Sequence, residues 1–333
     1  MIRTAAFDPA WWLPGPHLQT LWPVLCRRKP RLGLRRERLE LPDGDFLDLA
    51  WTPGERGPIV LILHGLEGSS DSGYVGGLLQ AVAQRGWRGV VLHFRGCSGE
   101  PNRQAASYNA GHTCDLDYVS RLLRQREPLT PIACVGYSLG GNALLKWLGE
   151  TGTDAPIQAA VAVSVPFRLE LAVQRLDRGI SRLYQTYLLR QLRRHYRRKI
   201  QLQHQFPLPF SKLVELRSFY EFDNFVTAPL HGYADAADYY HRASCRPYLK
   251  QVRVDTLILH ALDDPFMVPA GVPRAAELAD SITLELSPGG GHVGFVTGSL
   301  PWRAGYWLEQ RIPRFLAERF SPAGTMTGQA QKL

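Results

Sequence analysis

The pentapeptide Gly136-Tyr137-Ser138-Leu139-Gly140 joins an apolar run, Pro131 to Val135, to a helical stretch, Asn142 to Leu148. Strand, sharp turn and helix in that order read as a nucleophile elbow, which lifts a serine hydroxyl above the edge of a sheet. The serine there adopts a strained backbone. The flanking glycines leave space where a side chain would strike the facing strand and helix. Alone the pentapeptide is a weak signal, because a Gly-rich turn whose serine caps the helix looks the same. The strand-like run before it and the helical run after it favour the elbow.

A serine hydroxyl is a poor nucleophile at neutral pH and needs a base, a group that orients the base, and donors for an oxyanion. Val254 to His260 reads as a buried strand that leads into Ala261-Leu262-Asp263-Asp264-Pro265-Phe266. Asp263 and Asp264 therefore stand at the carboxyl end of a strand, the edge where open α/β sheets place their sites. For one of the pair the plainer role is an Asx turn before Pro265. Ile282 to Leu286 is followed by Ser287-Pro288-Gly289-Gly290-Gly291-His292, a loop able to aim an imidazole at the same edge. Any one of the 10 histidines is by default a surface or core residue. His292 stands out by order: serine, carboxylate and histidine follow one another as an elbow enzyme requires. Candidate oxyanion donors are the N–H groups of Leu139, next to the serine, and of Leu66, in the loop His64-Gly65-Leu66-Glu67-Gly68-Ser69-Ser70 after the apolar run Ile59 to Leu63. His64 is read as holding this loop by hydrogen bonds, and Ser69 and Ser70 as caps of a helix beginning near Tyr74.

Strand-like runs at Leu39-Glu40-Leu41, Phe46 to Leu49, Ile59 to Leu63, Gly89 to His93, Ile132 to Val135 and Ala159 to Val163 alternate with helical patterns after the second. Alternation predicts an α/β chain, a mostly parallel sheet with helices on both faces. Pro42-Asp43-Gly44 signals a hairpin turn. With 333 residues, 45% of them hydrophobic, the chain can bury a large core and carry an insertion. The alternation breaks over 166–245, where helical periodicity runs from Leu169 to about Ile200. It puts Leu176, Ile180, Leu183, Tyr187 and Leu192 on an apolar side opposite Arg175, Arg178, Arg182, Arg190, Arg193, Arg194, Arg197, Arg198 and Lys199. Phe222 and Phe225, in the aromatic run after it, are expected to wall an acyl pocket. The expected units are an N-terminal arm (1–40), the first half of the core (41–165), an inserted helical cap (166–245), the second half of the core (246–320) and a frayed polar tail (321–333).

The net charge of +9 gathers in that arginine-rich stretch and around Arg27 to Arg38. A solvated basic face is the plain reading, peripheral contact with an anionic membrane surface the competing one. No nucleic acid is expected, since no recognised module accompanies the charge. Five scattered cysteines read as reduced thiols of a cytoplasmic protein. No ligand spacing for a metal, no phosphate loop and hence no cofactor is expected. No run approaches the ~20 apolar residues of a membrane span.

Several stretches together resemble the YheT-like hydrolases, relatives of the eukaryotic α/β-hydrolase-domain proteins 1 to 3 and the yeast medium-chain ethyl ester synthases. They are Pro16-His17-Leu18-Gln19-Thr20, His64 to Ser69, Phe94-Arg95-Gly96-Cys97-Ser98-Gly99, Gly136 to Asn142, Asp263 to Phe266 and Gly291-His292-Val293-Gly294-Phe295. The resemblance implies an α/β-hydrolase fold with an inserted cap and Ser, Asp and His catalysis on ester bonds. It also favours Asp264 over Asp263, because related hydrolases carry the acid three residues past the small residue that ends the strand. The expected function is a serine carboxylesterase cleaving apolar acyl esters, of small molecules or lipids, through an acyl-enzyme. Acyl transfer to an alcohol and a noncatalytic binding scaffold are the alternatives.

Overall fold

The computed structural model describes residues 1–202 and 206–320. The chain begins with β1 (Ile2–Thr4) and α1 (Pro16–Leu25), then a hairpin of β2 (Arg35–Glu40) and β3 (Phe46–Trp51). An alternating stretch follows: β4 (Ile59–Leu63), α2 (Gly73–Ala83), β5 (Arg88–Leu92), α3 (Cys114–Arg126), β6 (Ile132–Tyr137), α4 (Leu139–Thr151) and β7 (Ala159–Val163). Between β7 and the next strand lie α5 (Leu169–Leu176), α6 (Ser181–Leu202), α7 (Phe210–Leu213), α8 (Phe219–Phe222), α9 (Ala228–His231) and α10 (Ala236–Ala243). The chain closes with β8 (Asp255–Ala261), β9 (Ile282–Ser287), the short pair β10 (Val296–Thr297) and β11 (Gly305–Tyr306), and α11 (Leu308–Phe320). The tail expected over 321–333 lies outside the described residues.

The main sheet runs β1-β9-β8-β7-β6-β4-β5-β3-β2 and is parallel except where β3 meets β5 and β2. Pro42-Asp43-Gly44 does turn the antiparallel β2–β3 pair, with Gly44 at φ 82°, a conformation glycine adopts without strain. Strands buried on both faces explain the unbroken apolar runs. In β4, Ile59, Leu61 and Leu63 enter one core layer with Leu116 of α3 and Leu144 of α4, whereas Val60 and Ile62 enter the other with Leu78 of α2 and Ile312 of α11. That alternation at period two places helices on both faces and leaves the carboxyl ends of β4, β6 and β8 at one edge.

The helical stretch from Leu169 differs from the expected continuous periodicity. It is two helices with a break over 177–180, so the phase read through both fails. Ile180, Leu183 and Tyr187 face solvent, and the buried side of α6 carries Ser181, Gln185, Leu189, Leu192, His195, Tyr196 and Lys199. Lys199 is no surface arginine-patch neighbour: its Nζ donates to Asn102 Oδ1 (2.5 Å) and the Gln104 carbonyl (2.6 Å), and burial draws its pKa down to about 8. Asn142, fully buried at the start of α4, ties the inserted helices to the core. It donates to the carbonyls of Ala110 and Ala243 and accepts from the Cys245 N–H. Among the described residues no helix is long and apolar enough to cross a membrane.

Candidate active site

Ser138 sits between β6 and α4 at φ 51°, ψ −117°, a backbone region that non-glycine residues occupy only when their surroundings force it. Those surroundings are tight. A Cβ at Gly136 would lie 2.4 Å from the Gly140 carbonyl oxygen, and one at Gly140 would lie 2.5 Å from that of His64. The Ser138 N–H donates to Val163 O in the neighbouring β7 (2.8 Å), which pins the turn to the sheet.

His292 reaches the same edge from the loop after β9. Its Nε2 lies 3.0 Å from Ser138 Oγ and its Nδ1 2.8 Å from Asp264 Oδ2. The Asp264 side chain is fully buried, and its second oxygen accepts the Phe266 N–H at 2.8 Å. The neighbouring carboxylate points elsewhere. Asp263 Oδ1 accepts the Gly291 N–H (2.9 Å), bracing the glycine-rich loop, and burial raises its pKa.

The loop after β4 holds its amides in a pattern that singles out one. Gly65 N–H donates to Tyr74 OH, Glu67 N–H to Tyr108 OH, Gly68 N–H to Gly65 O, Ser69 N–H to Ser72 Oγ and Ser70 N–H to His93 Nε2. The Leu66 N–H has no such acceptor among the described residues, and Leu139, as first residue of α4, has no intrahelical acceptor for its own. His64 holds the loop as expected: one ring nitrogen faces the Gly65 carbonyl (2.7 Å) and the other accepts the Phe94 N–H (3.1 Å). Burial drives its pKa down to about 3, so it stays neutral. The helix cap is corrected, since Ser72 and not Ser69 or Ser70 precedes α2.

Several supporting residues escaped the sequence reading. Gln19 of α1 pairs with the backbone of Val296 in both directions, Nε2 to its carbonyl (3.1 Å) and its N–H to Oε1 (2.8 Å), as a neighbouring strand would. Thr20 Oγ1 accepts the His292 N–H at 2.9 Å. Ser164 Oγ accepts the Val293 N–H at 3.0 Å, and both residues have positive φ. The motif Pro16 to Thr20 thus braces the histidine loop, and only the family resemblance marked it.

A second group also went unseen. Glu67, Cys97 and His195 bring one ligand-type atom each within 4.8 Å of one another, amending the expectation that no metal-ligand cluster exists. Positions 67, 97 and 195 are too far apart in sequence to show it. Burial, with the Glu67 charge, pushes the Cys97 thiol well above its usual range, so it stays protonated. Burial also opposes ionisation of Glu67, but His195 at 3.2 Å and the Tyr108 hydroxyl at 2.8 Å outweigh it and hold the carboxyl below its usual value. The group reads as a buried polar contact that links α6 to the Leu66 loop.

The expected pocket wall is also corrected. Phe222 lies in the interior of the inserted helices and Phe225 faces solvent, because the π-helical turn over Asp223–Thr227 shifts the phase between them. The apolar cluster of these helices meets the site through Leu66, Tyr184 and Phe266 instead.

A family model described as alpha/beta hydrolase fold matches residues 58–299. YheT of Escherichia coli (strain K12), provisionally named an esterase, is 45% identical over 94% of this chain and 93% of its own. Phospholipase ABHD3 of Mus musculus is 29% identical over 92% of this chain and 77% of its own. Among solved structures, the esterase Pf2001 of Pyrococcus furiosus aligns with a TM-score of 0.56 at 16% identity, covering 87% of this chain and 93% of that one, a likeness of fold.

Proposed function

The chain belongs to the α/β-hydrolase fold family, on its YheT-like branch, and from that premise we propose that it is a serine carboxylesterase cleaving apolar acyl esters through an acyl-enzyme. The observation that carries this reading is the unbroken line from Asp264 through His292 to Ser138, at 2.8 and 3.0 Å, beside the open N–H of Leu66. With Asp264 accepting from Nδ1–H, the imidazole presents an unprotonated Nε2 to the serine. Ser138 Oγ attacks the ester carbonyl carbon as its proton passes to Nε2. The carbonyl oxygen, now an anion, is held by the N–H groups of Leu66 and Leu139. Collapse expels the alcohol, which takes the proton from Nε2, and water clears the acyl group by the same route. The apolar contacts of Leu66, Tyr184 and Phe266 support an apolar acyl chain, and the relative named a phospholipase supports a lipid ester.

A fluorophosphonate should label the protein at Ser138 alone, and Ser138→Ala should lose both labelling and nitrophenyl-ester hydrolysis by on the order of 10³-fold or more with its melting unchanged. Full hydrolysis by a folded Ser138→Ala chain would end this reading.

A further inference from the structure

Helix α1 is amphipathic in the reverse sense. Its polar residues Gln19 and Thr20 are buried against the histidine loop, while Leu18, Leu21, Val24 and Leu25 face solvent, the last two at 70% and 75% exposure. A helix that serves a buried loop with its polar side must turn its apolar side outward. Water alone gives no return for that exposure.

Helix α6 touches α1 and carries an exposed apolar set of its own. His17 and Tyr184 join the two helices, ring nitrogen to hydroxyl at 2.9 Å, and beside Tyr184 stand Ile180, Leu183 and Tyr187, exposed by 60%, 70% and 56%. Tyr184 in turn packs on Phe266, whose ring lies on His292. The exposed residues therefore flank the mouth of the site, not a remote surface.

Charge selects the occupant. Arg28, Lys29 and Arg31 follow α1 directly, all exposed and without an ion-pair partner among the described residues, and Arg182 and Arg190 lie along the exposed side of α6. A second copy of a chain with net charge +9 would bring like charges together on such a face, whereas an anionic lipid surface would neutralise them. We infer that the outward faces of α1 and α6 form one docking surface for an anionic lipid interface, with the mouth of the site toward the lipid.

The test uses the full chain and flotation with phosphatidylcholine vesicles with and without phosphatidylglycerol. The native chain should partition onto the anionic vesicles and far less onto the neutral ones. Val24→Asp with Leu25→Asp should lower partition on the order of tenfold or more. Arg28→Gln with Lys29→Gln should lower it roughly fivefold per charge at low salt, the difference closing at high salt. Neither pair touches the proposed catalytic residues, so both should hydrolyse a soluble acetate ester like the native chain. Equal partition onto neutral and anionic vesicles, or undiminished partition of the aspartate variant, would overturn the inference. So would a concentration-dependent dimer that the aspartates dissolve, which would give the face to a second copy. Vesicle binding needs no turnover, so its failure and a failure of the esterase reading are read separately.

Discussion

Phe266 lies flat on His292, their ring centroids 4.0 Å apart and their planes inclined by 5°. On the proposed mechanism an imidazolium forms as Ser138 gives up its proton; an aromatic face would attract it, and the stack holds the ring plane in which Nε2 faces Oγ. Phe266→Leu keeps an apolar wall but removes that face. Turnover of a soluble ester should fall between roughly threefold and thirtyfold, with KM moving less. Unchanged kcat would leave the stack a packing contact only.

The adjacent carboxylates should separate by kind of defect. Asp264→Asn presents an amide to Nδ1 and favours the wrong imidazole tautomer, an effect on the order of 10⁴-fold in turnover. Asp263→Asn still offers an oxygen to the Gly291 N–H and should cost far less. Steady-state rates at matched folded fraction decide the matter, and a larger loss for Asp263→Asn would reverse the assignment.

Thr20→Val keeps the shape of the side chain but leaves the His292 N–H without its acceptor, a loss of about 1–3 kcal/mol in the loop. Fluorophosphonate labelling at Ser138 should slow by about tenfold or more, with a drop in melting temperature of only a few degrees. A normal labelling rate would show that the loop holds its histidine without α1.

Asp223 gives a pH signature. Burial raises its carboxyl to about 6 against a usual 3.8, although Thr227 and Tyr240 both donate to it. The folded chain therefore binds more protons at this group than the unfolded chain between those values. Its contribution to stability falls as pH rises through that window and stays lower above it. Asp223→Asn should be more stable, relative to the native chain, near pH ~8 than near pH ~4. Denaturant midpoints of both chains at the two pH values check this; an equal difference at both would refute it.

The parts legible in the sequence are those whose signals are local. The apolar runs of β4 to β9 declare themselves because both faces are buried, and the elbow is visible because Gly136 and Gly140 stand where no Cβ fits. The orientation of α6 was not legible: a break of a few residues after Leu176 is enough to turn Leu183 and Tyr187 from the apparent inner face to the outer one. The bonds from Gln19 to Val296 and from Thr20 to His292 lay beyond reach for another reason. Each joins residues more than 270 apart, and no local periodicity records such a partner.

That separation bears on synthesis. Ile2 lies beside Leu284, so the edge of the sheet is made by amino-proximal residues laid against a strand that the ribosome delivers late. The entropy lost in closing so long a loop grows only with the logarithm of its length, but contacts so distant form slowly. A nascent chain contains Ser138 and its elbow sequence well before it has His292, or the loop that Gln19 and Thr20 grip. On the proposed mechanism the serine is thus made early and its base last, and a chain released before β9 would lack the histidine that the proposed nucleophile needs.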